Sequence, residues 1–200
     1  MLMINFSDSN FEAGVDEAGR GSLAGPVTAA AVILPRDYRN HDLDDSKRLS
    51  EKKRIELKGI IEKDCIDFAV FSVAPSIIDK INILNSTLKA MHGALNSLRI
   101  IPSFISVDGN RFKKFKKIDY KCILKGDSKY QNIAAASILA KTYRDKYMIE
   151  QHRRFPNFGW NKNKGYGTKF HIDSINKYGI SELHRKSFLL KNSQTKLELL

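Results

Sequence analysis

Apolar and polar residues change rhythm along this chain, and the change separates strands from helices. Residues 12–17 and 104–107 are short runs beside acids. Residues 27–34 (Val-Thr-Ala-Ala-Ala-Val-Ile-Leu) are small or β-branched and lie between Pro26 and Pro35. Residues 66–73 and 120–124 are further short runs of the same kind. Runs of this length and composition, closed by turn residues, predict five strands. Ser50 reads as the N-cap of a helix over 51–64, with Glu51 favourable in its first turn. Ser86 is expected to cap a second helix, whose Leu88, Met91, Leu95 and Leu98 share one face as core. A third helix spans about 131–153. Its start, Ile133-Ala-Ala-Ala-Ser-Ile-Leu-Ala140, is small and apolar enough to pack closely on a sheet. Thr168 is expected to cap a short helix ending at Gly179, and a further short helix follows Ser181. Early strands followed by alternating strands and helices predict an α/β fold on a mixed sheet. We read 1–190 as one domain with a small C-terminal helical segment from about 165, and 191–200 as a tail without clear assignment.

Two hundred residues are enough to bury a core. The charge narrows the partner: 34 Lys and Arg against 22 Asp and Glu leave a net +12. That balance favours a polyanion, nucleic acid before a membrane surface. The two cysteines, Cys65 and Cys122, lie in apolar stretches and are expected as buried, reduced thiols. No apolar run approaches membrane-spanning length, and an N-terminus carrying Asp8 and Glu12 lacks the pattern of a secretory leader. A cytoplasmic monomer is the expectation.

The most informative stretch is Gly14-Val-Asp-Glu-Ala-Gly-Arg-Gly-Ser-Leu-Ala-Gly25. Neighbouring side chains on a strand alternate between faces, so Asp16 and Glu17 cannot both enter an apolar core, and acids are rarely buried without a partner. The following glycines let the backbone approach a ligand closely. Gly19-x-Gly21-x-x-Ala24, with Asp44 and Asp45 further on, imitates a dinucleotide fingerprint, but that fingerprint must open a helix and a strand follows here. Asp108 ends another apolar run, and Asp127 lies just past a third. Either acid alone reads better as a turn former. Four acids at three strand ends could converge on one sheet edge, where only cations would relieve their repulsion. Oxygen-only ligands select Mg²⁺ or Mn²⁺, and a cation pair is a recurring device for phosphodiester hydrolysis.

Asp16-Glu-Ala-Gly-Arg-Gly21, Asp45-Ser-Lys47, Val107-Asp108, Lys125-Gly-Asp127, Ala134-Ala-Ala-Ser-Ile-Leu-Ala-Lys141 with Arg144-Asp145, Gly165-Tyr-Gly-Thr168 and His184-Arg-Lys-Ser-Phe188 occur in that order. Together they make the chain closely resemble ribonuclease HII, the bacterial type-2 ribonuclease H, over about residues 12–190. The resemblance implies a ribonuclease-H-like fold with a five-stranded mixed sheet flanked by helices. It implies an endonuclease that cleaves RNA in RNA–DNA hybrids and cuts 5′ of ribonucleotides embedded in duplex DNA, leaving 3′-hydroxyl and 5′-phosphate ends. Two divalent cations, Mg²⁺ or Mn²⁺, would be held by Asp16, Glu17, Asp108 and Asp127. Gly19, Arg20 and Gly21 match the segment that reads the 2′-hydroxyl through the backbone, and Tyr166 matches a tyrosine that stacks on the neighbouring deoxyribose.

Ser46 and Lys47, in a polar turn before a helix, are expected to hold phosphates, with Arg20, Lys164, His184 and Arg185 beside them; only the family motif singles out His184. Asp45 is expected to orient the Ser46–Lys47 turn, and Asp145, which follows Arg144 on the helix, to form an intrahelical ion pair. The basic cluster Arg111, Lys113, Lys114, Lys116, Lys117 and Lys121 reads as a solvated hairpin that grazes the duplex in one of two even readings. No motif in 191–200 specifies a sliding-clamp contact. Two rival classes are a hybrid-binding protein without catalysis and a different two-metal nuclease or strand transferase of the same fold. The intact acid set argues against the first and the 2′-hydroxyl reader against the second.

Overall fold

All five predicted strands form, with ends shifted by a residue or so. In the computed structural model, which describes residues 2–188, β1 is Glu12–Ala18, β2 Val27–Ile33, β3 Asp67–Val73, β4 Phe104–Asp108 and β5 Asp119–Ile123. The sheet order is β3-β2-β1-β4-β5. β1–β2 and β2–β3 pair antiparallel, and β1–β4 and β4–β5 pair parallel, so the sheet is mixed, as expected. β2 is buried along its whole length on both faces, which explains its run of small and β-branched residues.

Alternation along β1 assigns its two faces. Ala13 and Val15 join Ala29, Ala31 and Ile33 against helix α2 (Pro75–Ser97). Ala18, with Ala30, Val32 and Leu34, meets helices α1 (Glu51–Asp64) and α3 (Gln131–Arg154). Each fully buried Ile or Leu in these layers contributes about 1.5–3 kcal/mol relative to exposure. Gly14 allows α3 to lie directly on the strand, because a Cβ there would collide with the backbone of Asn132 and Ile133.

Ser50 caps α1 as expected, accepting from the Lys53 amide. α2 differs from expectation. It begins at Pro75 and breaks at Asn82 (φ 63°, ψ 168°), where Asn82 Oδ1 accepts from the Asn85 amide at 3.1 Å. Asn82 therefore caps the second segment, and Ser86 is a fully buried residue inside it. The segment 109–118 is also not a hairpin, because the strands that it joins are parallel. Phe112 and Phe115 anchor it against the α2 layer and leave its basic side chains exposed.

A third cluster, Ala24, Met148, Phe158, Trp160 and Leu183, closes the C-terminal segment around the short helix α4 (Trp160–Asn163). Thr168 caps α5 (Lys169–Tyr178), accepting from the His171 amide, and the helix ends at Gly179. The helix expected after Ser181 starts later: 182–183 form a turn and 186–188 are helical. The tail assigned to 191–200 lies outside the described residues. Cys65 and Cys122 are free and half-buried, less enclosed than expected; burial and then Asp67 push the Cys65 thiol up to about 11. Among the described residues no helix is long and apolar enough to cross a membrane.

Candidate active site

Parallel pairing brings the acids together. Val15 lies opposite Val107, so Asp16 and Asp108 are the next residues on adjacent strands. β5 runs beside β4 with Ile123 opposite Asp108. The chain then turns through Lys125 (φ 54°) into a tight 3₁₀ turn at 126–128 that presents Asp127. Oxygens of Asp16, Asp108 and Asp127 all lie within 4.8 Å of one another. The Glu17 amide donates to Asp16 Oδ1 and the Gly126 amide to Asp108 Oδ1, each at 2.7 Å, which fixes both carboxylates. Glu17 stands at the edge of this group, where its Oε1 accepts from Arg20 at 3.1 Å.

These groups repel one another. Burial, then Glu17, then Asp108 raise the Asp16 carboxyl well above the usual range. Burial raises Glu17 despite Arg20, and burial with Asp108 and Asp45 pushes Asp127 up to about 6. Lys47 answers them. Burial opposes its charge, yet Asp45, Asp16, Asp127 and Asp108 together hold its ammonium above the ordinary lysine value. A largely buried, oxygen-only donor set under mutual repulsion fits hard divalent cations, with Asp16, Asp108 and Asp127 grouped to hold them and Glu17 beside the group, paired with Arg20.

Beside the acids lies a cleft of about 500 Å³, lined by Glu17, Gly19, Arg20, Gly21, Ser46, Lys47, Arg54, Ser137, Lys141 and Tyr166. A second depression of about 360 Å³ contains Asp108, Asp127 and Lys125, and Lys47 borders both. A larger one, about 660 Å³, opens on α2 around Phe71, Lys89 and His92, away from every clustered acid. The 19–25 loop is laced into place from two sides. Leu23 and Ala24 amides donate to the Gly165 carbonyl, the Gly25 amide to Leu183 O, and the Arg185 amide to Leu23 O. The Tyr166 ring stands over cations, 5.2 Å from both Lys141 Nζ and the Arg144 guanidinium.

Three expected phosphate holders do not face this cleft. Arg185 is fully buried and spends its guanidinium on the carbonyls of Gly19, Arg20 and Gly25 at 2.7–3.0 Å. It shapes the Gly-Arg-Gly loop from behind. Burial and Arg144 lower it to about 9, which leaves it charged at neutral pH. His184 is buried against His171. Lys164 is buried, and its ammonium is turned to the Asn161 carbonyl at 2.5 Å and to Glu51 at 3.6 Å. Ser46 lines the cleft, but its hydroxyl is engaged with Ser137 at 2.9 Å. Asp45 does accept from the Lys47 amide at 2.9 Å. Asp145 makes the expected intrahelical ion pair, with Lys141 one turn back at 2.8 Å.

Two roles were not legible in the sequence, those of Arg144 and Asn132. Arg144 is fully buried and donates to Pro26, Lys164 and Ala24 carbonyls, which ties the 19–26 loop to the loop of Tyr166. Gly19 (φ 89°) gives it room, since a Cβ there would strike the guanidinium. Asn132 joins Glu12 at 2.9 Å and Ser106 at 3.0 Å, which pins the start of α3 to the sheet. For Arg144 the available signal was its place in the Arg144-Asp145 pair that follows the apolar helix start; for Asn132 none was visible.

Comparison with known proteins agrees with this geometry. A family model described as Ribonuclease HII matches residues 13–191. A ribonuclease HII of Christiangramia forsetii is 55% identical over 98% of this chain and 100% of its own length. Among solved structures, the ribonuclease H2 of Pyrococcus horikoshii has a TM-score of 0.75 at 27% identity, covering 88% of this chain and 92% of that one. The ribonuclease HII of Archaeoglobus fulgidus, solved in a complex with PCNA, has the same TM-score at 26% identity, covering 88% and 94%. The five-stranded mixed sheet with its flanking helices is thus a ribonuclease-H-like fold.

Proposed function

The chain belongs to the ribonuclease HII family, endoribonucleases that hydrolyse RNA in RNA–DNA hybrids, and on that premise we propose that it also cuts 5′ of single ribonucleotides in duplex DNA. The observation that carries this reading is the placing of Asp16, Asp108 and Asp127 beside a cleft that holds both Gly19-Arg20-Gly21 and Tyr166. In this reading Asp16, Glu17, Asp108 and Asp127 hold two divalent cations, Mg²⁺ or Mn²⁺. When bound, such a pair supplies the positive charge that an attacking water and a departing 3′-oxygen need.

The remaining work belongs to the chain itself. The backbone of Gly19–Gly21, braced by Arg185, offers amides and carbonyls to a 2′-hydroxyl, the one group that is donor and acceptor at once and separates RNA from DNA at a given position. Tyr166, over Arg144 and Lys141, presents a flat face to the next sugar. A deoxyribose fits it and a second hydroxyl is excluded. Lys47 and Arg20 lie where a scissile phosphate would add negative charge. Excision of ribonucleotides from DNA is the role that follows. A protein that only binds hybrids gains nothing from acids beside phosphates, which sets that reading aside.

The test is direct. Incubated with Mg²⁺ and a DNA duplex bearing one ribonucleotide, the protein should leave a single cut on the 5′ side of that ribonucleotide, with a 3′-hydroxyl and a 5′-phosphate. Cleavage of uniform hybrids alone, with the mixed duplex intact, would sink the junction reading.

A further inference from the structure

Behind Tyr166 lies a chain of hydrogen bonds whose direction is forced. His171, in the first turn of α5, is fully buried. Its Nε2 lies 3.0 Å from Trp160 Nε1 and 3.2 Å from His184 Nε2. Its Nδ1 lies 2.9 Å from the Tyr166 carbonyl oxygen. An indole N–H can only donate, so His171 Nε2 must accept and the ring proton must sit on Nδ1, where it donates to Tyr166. The Ser181 amide donates to His184 Nδ1 at 2.9 Å, so the His184 proton sits on Nε2, where it shares the one lone pair of His171 Nε2 with the indole. Both imidazoles are therefore neutral. Burial depresses both rings, and His184 is lowered to about 4 by burial and then by His171. Phe158 holds the rings in place, stacked on Trp160 at 5.2 Å and edge-on to His184 at 4.7 Å.

Tyr166 sits between Gly165 and Gly167 with its ring turned to the cleft. Its amide donates to the Asn163 carbonyl at 2.9 Å and its carbonyl accepts from the Thr168 amide at 2.8 Å, so His171 adds a side-chain bond from α5 to a carbonyl that its own turn already engages. We propose that His171 is the positioning residue for Tyr166, and that Trp160 and His184 act through it by setting the tautomer that holds the Tyr166 carbonyl. The C-terminal segment thereby tunes how sharply the enzyme tells a deoxyribose from a ribose beside the cut. This inference rests on the stacking role proposed for Tyr166.

The experiment compares kcat/KM on single-ribonucleotide duplex and on uniform hybrid, and takes their ratio. Tyr166→Ala should move the ratio toward hybrids, and His171→Ala should do so by a similar factor, about five-fold or more for a lost aromatic stack. In a Tyr166→Ala background, His171→Ala should leave the ratio where it is. His171→Asn, which keeps an N–H near the Nδ1 position, should recover most of it. Trp160→Phe, which keeps a ring and loses the tautomer-setting donor, should fall between, and it serves if the alanine variant does not fold. Equal losses on both substrates, or an undiminished effect in the Tyr166→Ala background, would overturn the proposal. If Tyr166→Ala alone leaves the ratio unmoved, the stacking role fails. Amide exchange at Gly167 and Thr168 then decides the positioning role: faster exchange in His171→Ala upholds it, and unchanged exchange overturns it.

Discussion

At Asp108, stability and activity are set against each other. Its carboxylate faces Asp16 and Asp127 within 4.8 Å and accepts one bond from the Gly126 amide. Asparagine keeps an oxygen for that amide and removes a like charge. Asp108→Asn should therefore abolish turnover, leave hybrid binding in Ca²⁺ nearly intact, and raise the melting temperature in EDTA by about 2–4 °C per kcal/mol of relieved repulsion. A lower melting temperature would show that the acids do not strain the metal-free fold. The acids were legible in the sequence only as a set: Asp108 or Asp127 alone reads as a turn former, whereas four acids at three strand ends repel one another and call for cations. Lys164, His184 and Arg185 do not face the cleft, contrary to expectation, because a sequence names a side chain and not its direction. All three are buried, where Arg185 and Lys164 satisfy backbone carbonyls and His184 bonds His171.

Among the elements, α2 shows where local rules leave a choice. Asparagine and serine cap helices about equally well, so Asn82 and Ser86 were both eligible. The chain breaks at Asn82, in a backbone region that strongly favours glycine. Asn82→Gly should be neutral or stabilising, because relief of backbone strain offsets the lost cap. Asn82→Ala should cost about 1–3 kcal/mol, because it keeps the strain and loses the cap. Denaturant melts of both variants check this, and equal costs would contradict it. Strand positions were easier to read: β2 has the composition of a strand buried on both faces, and only its edges moved. The 109–118 segment was misread because a basic stretch between two strands looks the same whether the strands run parallel or antiparallel.

For the whole molecule, the excess of 34 basic over 22 acidic residues governs encounter with a duplex. Affinity should fall steeply with salt, by about 10³–10⁵ between 50 and 200 mM if 6–10 phosphates are contacted. Plain DNA and ribonucleotide-bearing DNA should show similar slopes, since the phosphate contacts are shared. A titration with labelled duplexes measures both, and salt-independent binding would remove the electrostatic account. By itself the sequence determined the five strands and the helices α1, α3 and α5, the excess positive charge, the acids and the Gly-Arg-Gly turn, because periodicity and residue chemistry are local properties. Only the tertiary structure decided which groups meet. Parallel pairing of β1, β4 and β5 brings Asp16, Asp108 and Asp127 together across more than a hundred residues of chain. Burial decides which cations remain free for a phosphate and which are spent on carbonyls. Those outcomes depend on register and packing between distant segments, which no local pattern encodes.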